Sequence, residues 1–226
     1  QKPNPQDNPY TTILSPDQAE KLQTYVITAA VAVAKKDEKT ALENQLAACK
    51  ICEEANVHLE HSLMRLTYGN YLFQFKYTDE VMAEYILAET AAAKVNAFVE
   101  IAQIRLAKAG LFMTKKKNRI NAIEHYEQAA AAAVIGGSTP LYIEALRMAG
   151  IIHLENAKDD ESAYLCFKAV LKRCEQLPME EVLMTPLPLI ADKVIKLFEK
   201  YEMQDQVAYV QQILDKYNSA TTSVEG

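Results

Sequence analysis

The feature that most restricts this chain is a set of small and ring-bearing residues that returns in step. Gly69 is followed by Val81, Tyr85 and Ala88 at intervals of 12, 16 and 19 residues, and Gly110 by Ala122, Tyr126 and Ala129 at the same intervals. Gly150 repeats the series with Ala163, Phe167 and Val170, each displaced by one residue. Weaker echoes start at Ala29 (Ala41, Gln45, Ala48) and at Ile195 (Val207, Gln211, Leu214), so the five anchors lie 40, 41, 40 and 45 residues apart. Such a period implies stacked supersecondary units, because one unit cannot bury its own apolar face. Two antiparallel helices in close contact need small side chains where their backbones approach. The ring then fills the wedge between one hairpin and the next.

The composition supports helices throughout. Only 6 Gly and 8 Pro occur in 226 residues, and Ala, Leu, Glu, Lys and Gln favour helix. No segment sustains the apolar/polar alternation of a strand. Ser15-Pro16-Asp17-Gln18 reads as an N-cap, a first-turn proline and a capping box. Further breaks are expected at Lys35–Glu38, Thr78–Glu80, around Asn118, at Gly136-Gly137, at Asp159–Glu161, at Leu177-Pro178 and at Thr185–Pro188. About ten helices with short links result, and short links make neighbours antiparallel. Residues 1–14 are Pro- and Asn-rich and read as a flexible lead-in, 15–218 as one helical repeat domain, and 219–226 as a flexible tail.

The pattern of small residues around an aromatic resembles the tetratricopeptide repeat family over roughly residues 16–217. It departs from that family in having no tryptophan, in Val81 where alanine is usual, and in a period near 41 instead of 34. The surplus predicts helices longer by about two turns, including one from about Lys94 to Thr114. Long-helix members such as kinesin light chains and bacterial peptide-sensing regulators are similar in this respect. The resemblance implies an all-α fold: an α-solenoid, a right-handed superhelix of about five helical hairpins.

It also implies where a partner would bind, namely the concave face formed by the first helix of each hairpin. On the second unit those positions are Leu63, Leu66, Asn70, Phe73 and Gln74. On the third they include Ile104, Leu111 and Lys115, and on the fourth Arg147, Ile151 and Leu154, with Glu144 and Glu155 beside them. On the fifth they include Lys196 and Lys200. The expected groove is apolar in its N-terminal half and charged in its C-terminal half. Some family members clamp a carboxylate with Lys and Asn here. Asn70 matches one such position, but Leu66 and Glu144 stand where bases would be needed, so that mode is not expected.

The expected function is therefore a protein–protein interaction scaffold or adaptor, or a chaperone holding a client. The alternative is a regulator that responds to a peptide or other ligand. The net charge of −6 argues against nucleic acid, which demands a basic face. The longest apolar runs, Tyr25–Ala34 and Ala129–Ile135, are too short to span a bilayer. Phosphate-loop, nucleophile-elbow and metalloprotease motifs are missing from the sequence, so neither catalytic residues nor a cofactor are expected. Cys49 and Cys52 spell C-x-x-C inside a helical stretch, and Cys166 and Cys174 are too far apart to form a second chelating pair. All four read as free packing residues, which points to a reducing, cytoplasmic compartment. His58 and His61 share a helix face, but a metal site is not expected there.

Overall fold

A computed structural model describes residues 13–222. The lead-in expected over 1–14 therefore lies almost wholly outside the described residues, as do 223–226. Every regular element is helical, and no strand occurs among the described residues. The chain is an all-α, solenoid-like repeat in which consecutive helices pack on one another. It divides into two compact units after Lys108, a division that falls inside a helix.

The N-terminal unit contains α1 (Pro16–Ala34), α2 (Glu38–Glu54), α3 (His58–Gln74), α4 (Thr78–Lys94) and the start of α5 (Phe98–Met113). The capping box at Ser15 and Gln18 is present in full. Helices α2, α3 and α4 are each 17 residues long, and α2 to α5 begin at 38, 58, 78 and 98. The sequence-based expectation of one helix from about Lys94 to Thr114 is corrected here: α4 ends at Lys94 and α5 begins at Phe98.

The joints explain this regularity. Lys36, Asn56, Lys76 and Asn96 all adopt positive φ, at 59°, 54°, 74° and 51°. Each comes directly after the residue that ends the helix, and the next N–H reaches back across the last turn. Asp37 N donates to Ala32 O at 2.9 Å, Val57 to Cys52 at 3.1 Å, Tyr77 to Leu72 at 2.9 Å and Ala97 to Ala92 at 3.0 Å. These are Schellman closures, which satisfy carbonyls that the helix end would otherwise orphan. Asparagine tolerates the left-handed region, but lysine carries a steric cost there. Replacing exposed Lys76 by glycine is therefore expected to raise stability by about 1 kcal/mol, read as a higher urea midpoint with an unchanged slope.

Burial in this unit follows the repeat. Gly69 lies against Tyr85: a Cβ at Gly69 would sit 2.6 Å from the ring. Tyr85 is only 3% exposed, and its hydroxyl donates to Asn70 Oδ1 at 2.6 Å. Forty residues earlier Ala29 and Gln45 hold the same places, and both are buried. Gln45 takes the ring's position as a polar residue and donates from Nε2 to the Met64 carbonyl at 3.1 Å, tying α2 to α3.

The C-terminal unit contains the end of α5, a 3-10 segment (Lys116–Asn121), α6 (Ala122–Gly136), α7 (Thr139–Ile152), a π turn (His153–Ala157), α8 (Asp160–Cys174), α9 (Met179–Met184), a 3-10 turn (Leu187–Ile190), α10 (Ala191–Lys200) and α11 (Gln204–Thr222). Helix α11 thus continues past 218, where a flexible tail was expected. Gly137 closes α6 in the left-handed region at φ 72°, and Asp159 caps α8 by accepting from Ser162 N at 3.0 Å. The core gathers Ile143, Phe167, Leu171, Val182, Leu187, Val194, Phe198, Val210 and Ile213. Burying each of the two phenylalanines contributes about 1.5–3 kcal/mol.

Gly150 repeats the Gly69 arrangement, with Phe167 2.9 Å from where its Cβ would be. Gly110 does not, since nothing lies within 4 Å of such an atom. The fully buried small residue is Ala109, one position earlier. Measured from Ala109, the intervals to Ala122, Tyr126 and Ala129 equal those from Gly150 to Ala163, Phe167 and Val170. The extra turn residue therefore belongs to both of these repeats.

Candidate partner-binding faces

In the N-terminal unit, Leu63, Leu66, Asn70, Phe73 and Gln74 recur on α3 at spacings of three and four, one face of a helix. Leu63 is 37% exposed, Asn70 and Gln74 are exposed, and Leu66 and Phe73 are half-buried. Asn70 keeps only part of its hydrogen-bonding capacity for a partner, because its side-chain oxygen already accepts from Tyr85. Leu59, one turn before Leu63, is also exposed and extends the apolar strip. Its four-residue spacing from Leu63 was the signal available in the sequence.

Beneath this face lies a charged knot. Arg65 is 8% exposed. Its Nη1 contacts Glu84 Oε2 at 3.0 Å and its Nη2 contacts Glu53 Oε2 at 3.2 Å. Its Nε donates to His61 Nε2 at 3.1 Å. One side chain of α3 thereby binds carboxylates from α2 and α4. Burial, reinforced by the Arg65 charge, holds the His61 imidazole below its ordinary value. Sequence reasoning passed over Arg65, since nothing in its spacing distinguishes it from a surface arginine.

Ile104 is fully buried and offers a partner no surface. The reason is the phase of α5: taking Ala109 instead of Gly110 as the anchor moves each assigned position back by one, which puts exposed Gln103 in the place assigned to Ile104. Glu89 on α4 ties down the same helix by binding both Arg105, at 2.8 Å, and Lys108. Leu111 is half-buried near the end of α5, and Lys115 is exposed beyond it.

In the C-terminal unit, Arg147, Ile151 and Leu154 follow one another at spacings of four and three along α7 and the π turn. π turns recur at functional sites. Arg147 Nε is buried and has no hydrogen-bond partner among the described residues. Burial pushes its guanidinium below the usual range, against the pull of Glu144. Ile151 and Leu154 pack on the edge of the core. Leu154 and Leu197 then floor a cleft of about 260 Å³ walled by Lys193, Lys196, Lys200 and Asp160. Lys193 pairs with Glu155 and Lys200 with Asp160. Lys196 has no carboxylate partner among the described residues. The cleft therefore combines an apolar floor with one unneutralised cation.

The thiols offer little chemistry. All four cysteines are free. Burial raises Cys49 to about 12 and Cys52, Cys166 and Cys174 to about 11, which keeps them protonated at neutral pH and poorly nucleophilic. Among the described residues no group of three or more His, Cys, Asp or Glu is placed to hold a metal ion. No helix among them is long and apolar enough to cross a membrane.

No protein-family model matches the sequence, and no curated protein matches it. A solved structure does: the crystal structure of BtubC (BKLC) from P. vanneervenii has a TM-score of 0.56 to this chain, covering 92% of it and 93% of that chain. The fold is that of a helical-repeat protein. The two sequences are only 10% identical, so the likeness concerns fold and nothing finer.

Proposed function

We propose that this chain is an interaction scaffold, a tetratricopeptide-like variant that binds a peptide segment of another protein and carries out no catalysis. The glycine-on-ring packing of Gly69 with Tyr85 and of Gly150 with Phe167 supports the repeat assignment. The observation that carries the binding reading is the cleft at Leu154, Leu197 and Lys196. An apolar floor beside a single free cation suits a peptide that presents an apolar side chain next to an acidic one. Such partner sites typically occupy exposed apolar grooves with a few placed polar groups. The α3 strip of Leu59, Leu63, Leu66 and Phe73 would supply a second contact region of the same kind.

The test is selection of short peptides from a random display library on the full chain, followed by fluorescence anisotropy. Selected peptides are expected to carry Asp or Glu beside an apolar residue. They should lose about tenfold in affinity to Lys196→Glu, the scale of one close charge pair at an interface, and to weaken with added salt. Selected peptides that bind the wild type, Lys196→Glu and Leu63→Glu equally would place the binding surface elsewhere and overturn both assignments.

A further inference from the structure

A second cavity in the C-terminal unit has the opposite charge character. It encloses about 370 Å³ and is lined by Pro140, Ile143 and Glu144 from α7, by Leu177 and Glu181, and by Met184, Thr185 and Pro186 at the end of α9. That volume falls within the range of sites that seat ligands, about 300–1,000 Å³. Its walls are mostly apolar, and two of them are prolines whose fixed φ limits how far the backbone can shift when something enters. Met184 is 88% exposed, an unbranched and adaptable side chain at the mouth. Among the described residues the only charged ones lining the cavity are Glu144 and Glu181. Both are exposed, and neither has an ion-pair partner among the described residues. No lysine or arginine among the described residues lines it.

We propose that this cavity seats an apolar side chain of a partner polypeptide whose neighbouring residues are Lys or Arg. The apolar anchor is buried between Pro140, Leu177 and Met184, with Ile143 beneath. The flanking cations meet the Glu144 and Glu181 carboxylates at the rim, where complementary charge selects partners and fixes register. This site is separate in its lining residues from the lysine cleft, and its ligand has the reverse charge. The two can therefore stand or fall independently.

The test uses an array of short peptides with a central Leu, Phe or Met flanked by Lys/Arg, by Ser or by Asp/Glu, applied to the 226-residue chain. Basic flanks are expected to bind about tenfold more tightly than acidic ones, the sum of two exposed charge pairs. The double variant Glu144→Gln/Glu181→Gln changes only exposed side chains and should remove that preference. In methyl NMR, a bound basic peptide should shift the Ile143 and Met184 signals. The proposal is overturned if no basic-flanked peptide binds in preference, if the preference survives the double variant, or if the shifted methyls lie elsewhere. Lys196→Glu separates the two sites: it should weaken acidic-flanked peptides and leave basic-flanked ones unaffected, so acidic binding that survives it overturns the lysine cleft, and basic binding that weakens with it overturns the separate cavity.

Discussion

Replacing Arg65 by alanine is expected to destabilise the N-terminal unit by about 3–5 kcal/mol, the range for breaking a buried ion pair from one side. The loss is not that of a surface bridge, because Glu84 is itself only 15% exposed at its side chain and would be left as an uncompensated anion. Hydrogen exchange should show the loss as faster opening of amides in α2, α3 and α4. Adding Glu84→Gln to the variant should restore part of it by removing the stranded charge. The same change alters the response to acid. The unfolded chain protonates His61 near 6.5, whereas the folded chain does so at lower pH. Between those values the unfolded state holds more protons, so this contribution to stability is complete above about 6.5 and is lost as pH falls through the folded value. Without the Arg65 charge the imidazole is depressed less. The acid-side slope of melting temperature against pH should then be shallower in Arg65→Ala. An equal slope, or a loss well below 1 kcal/mol, would show that the knot is not coupled as described.

Gly69→Ala and Gly110→Ala are expected to move stability in opposite directions. Both sites are helical, where alanine is favoured over glycine by about 1 kcal/mol. At Gly110 nothing lies within 4 Å of the new methyl group, so that gain should appear nearly whole. At Gly69 the methyl would sit 2.6 and 2.8 Å from two atoms of the Tyr85 ring. The ring cannot step aside cheaply, since it is buried and its hydroxyl is bonded to Asn70. Overpacking of this kind costs about 1–3 kcal/mol, enough to outweigh the helix gain. Urea unfolding of the two variants should place the wild type between them. If both variants stabilise the protein, Gly69 is not a contact glycine and the repeat loses its physical basis.

The same pair shows what the sequence could and could not convey. Small residues at Gly69 and Gly150 with rings at Tyr85 and Phe167 were legible because packing two helices closely leaves few residue types to choose from. Gly110 carried the same letter but not the same contact. A neighbouring alanine, equally small, does the packing, and no pattern of small residues distinguishes the two. That one-residue slip carried Ile104 onto the wrong face. The joints were half visible. Asn56 and Asn96 are residues that accept left-handed geometry, but Lys36 and Lys76 are not, so their equivalence emerges only from the backbone. Of the candidate binding surfaces, the α3 strip followed from the tetratricopeptide resemblance. The lysine cleft needed α10 beside the π turn, and the acidic-rimmed cavity needed the short α9, whose six residues give too little periodicity to place.

The joints at Lys36, Asn56, Lys76 and Asn96 turn chain length into a ruler. Each bend closes through main-chain hydrogen bonds and not through a particular side chain, so the chain reverses wherever the count of residues brings it. Gain or loss of one residue within a helix would rotate everything after it by about 100° and carry the inward strip out of line. Removal of twenty would restore the facing but reverse the direction of travel. Only an excision of forty, two helices and two bends together, returns the downstream chain both facing and running as before. An in-phase deletion or insertion among these helices is thereby confined to pairs.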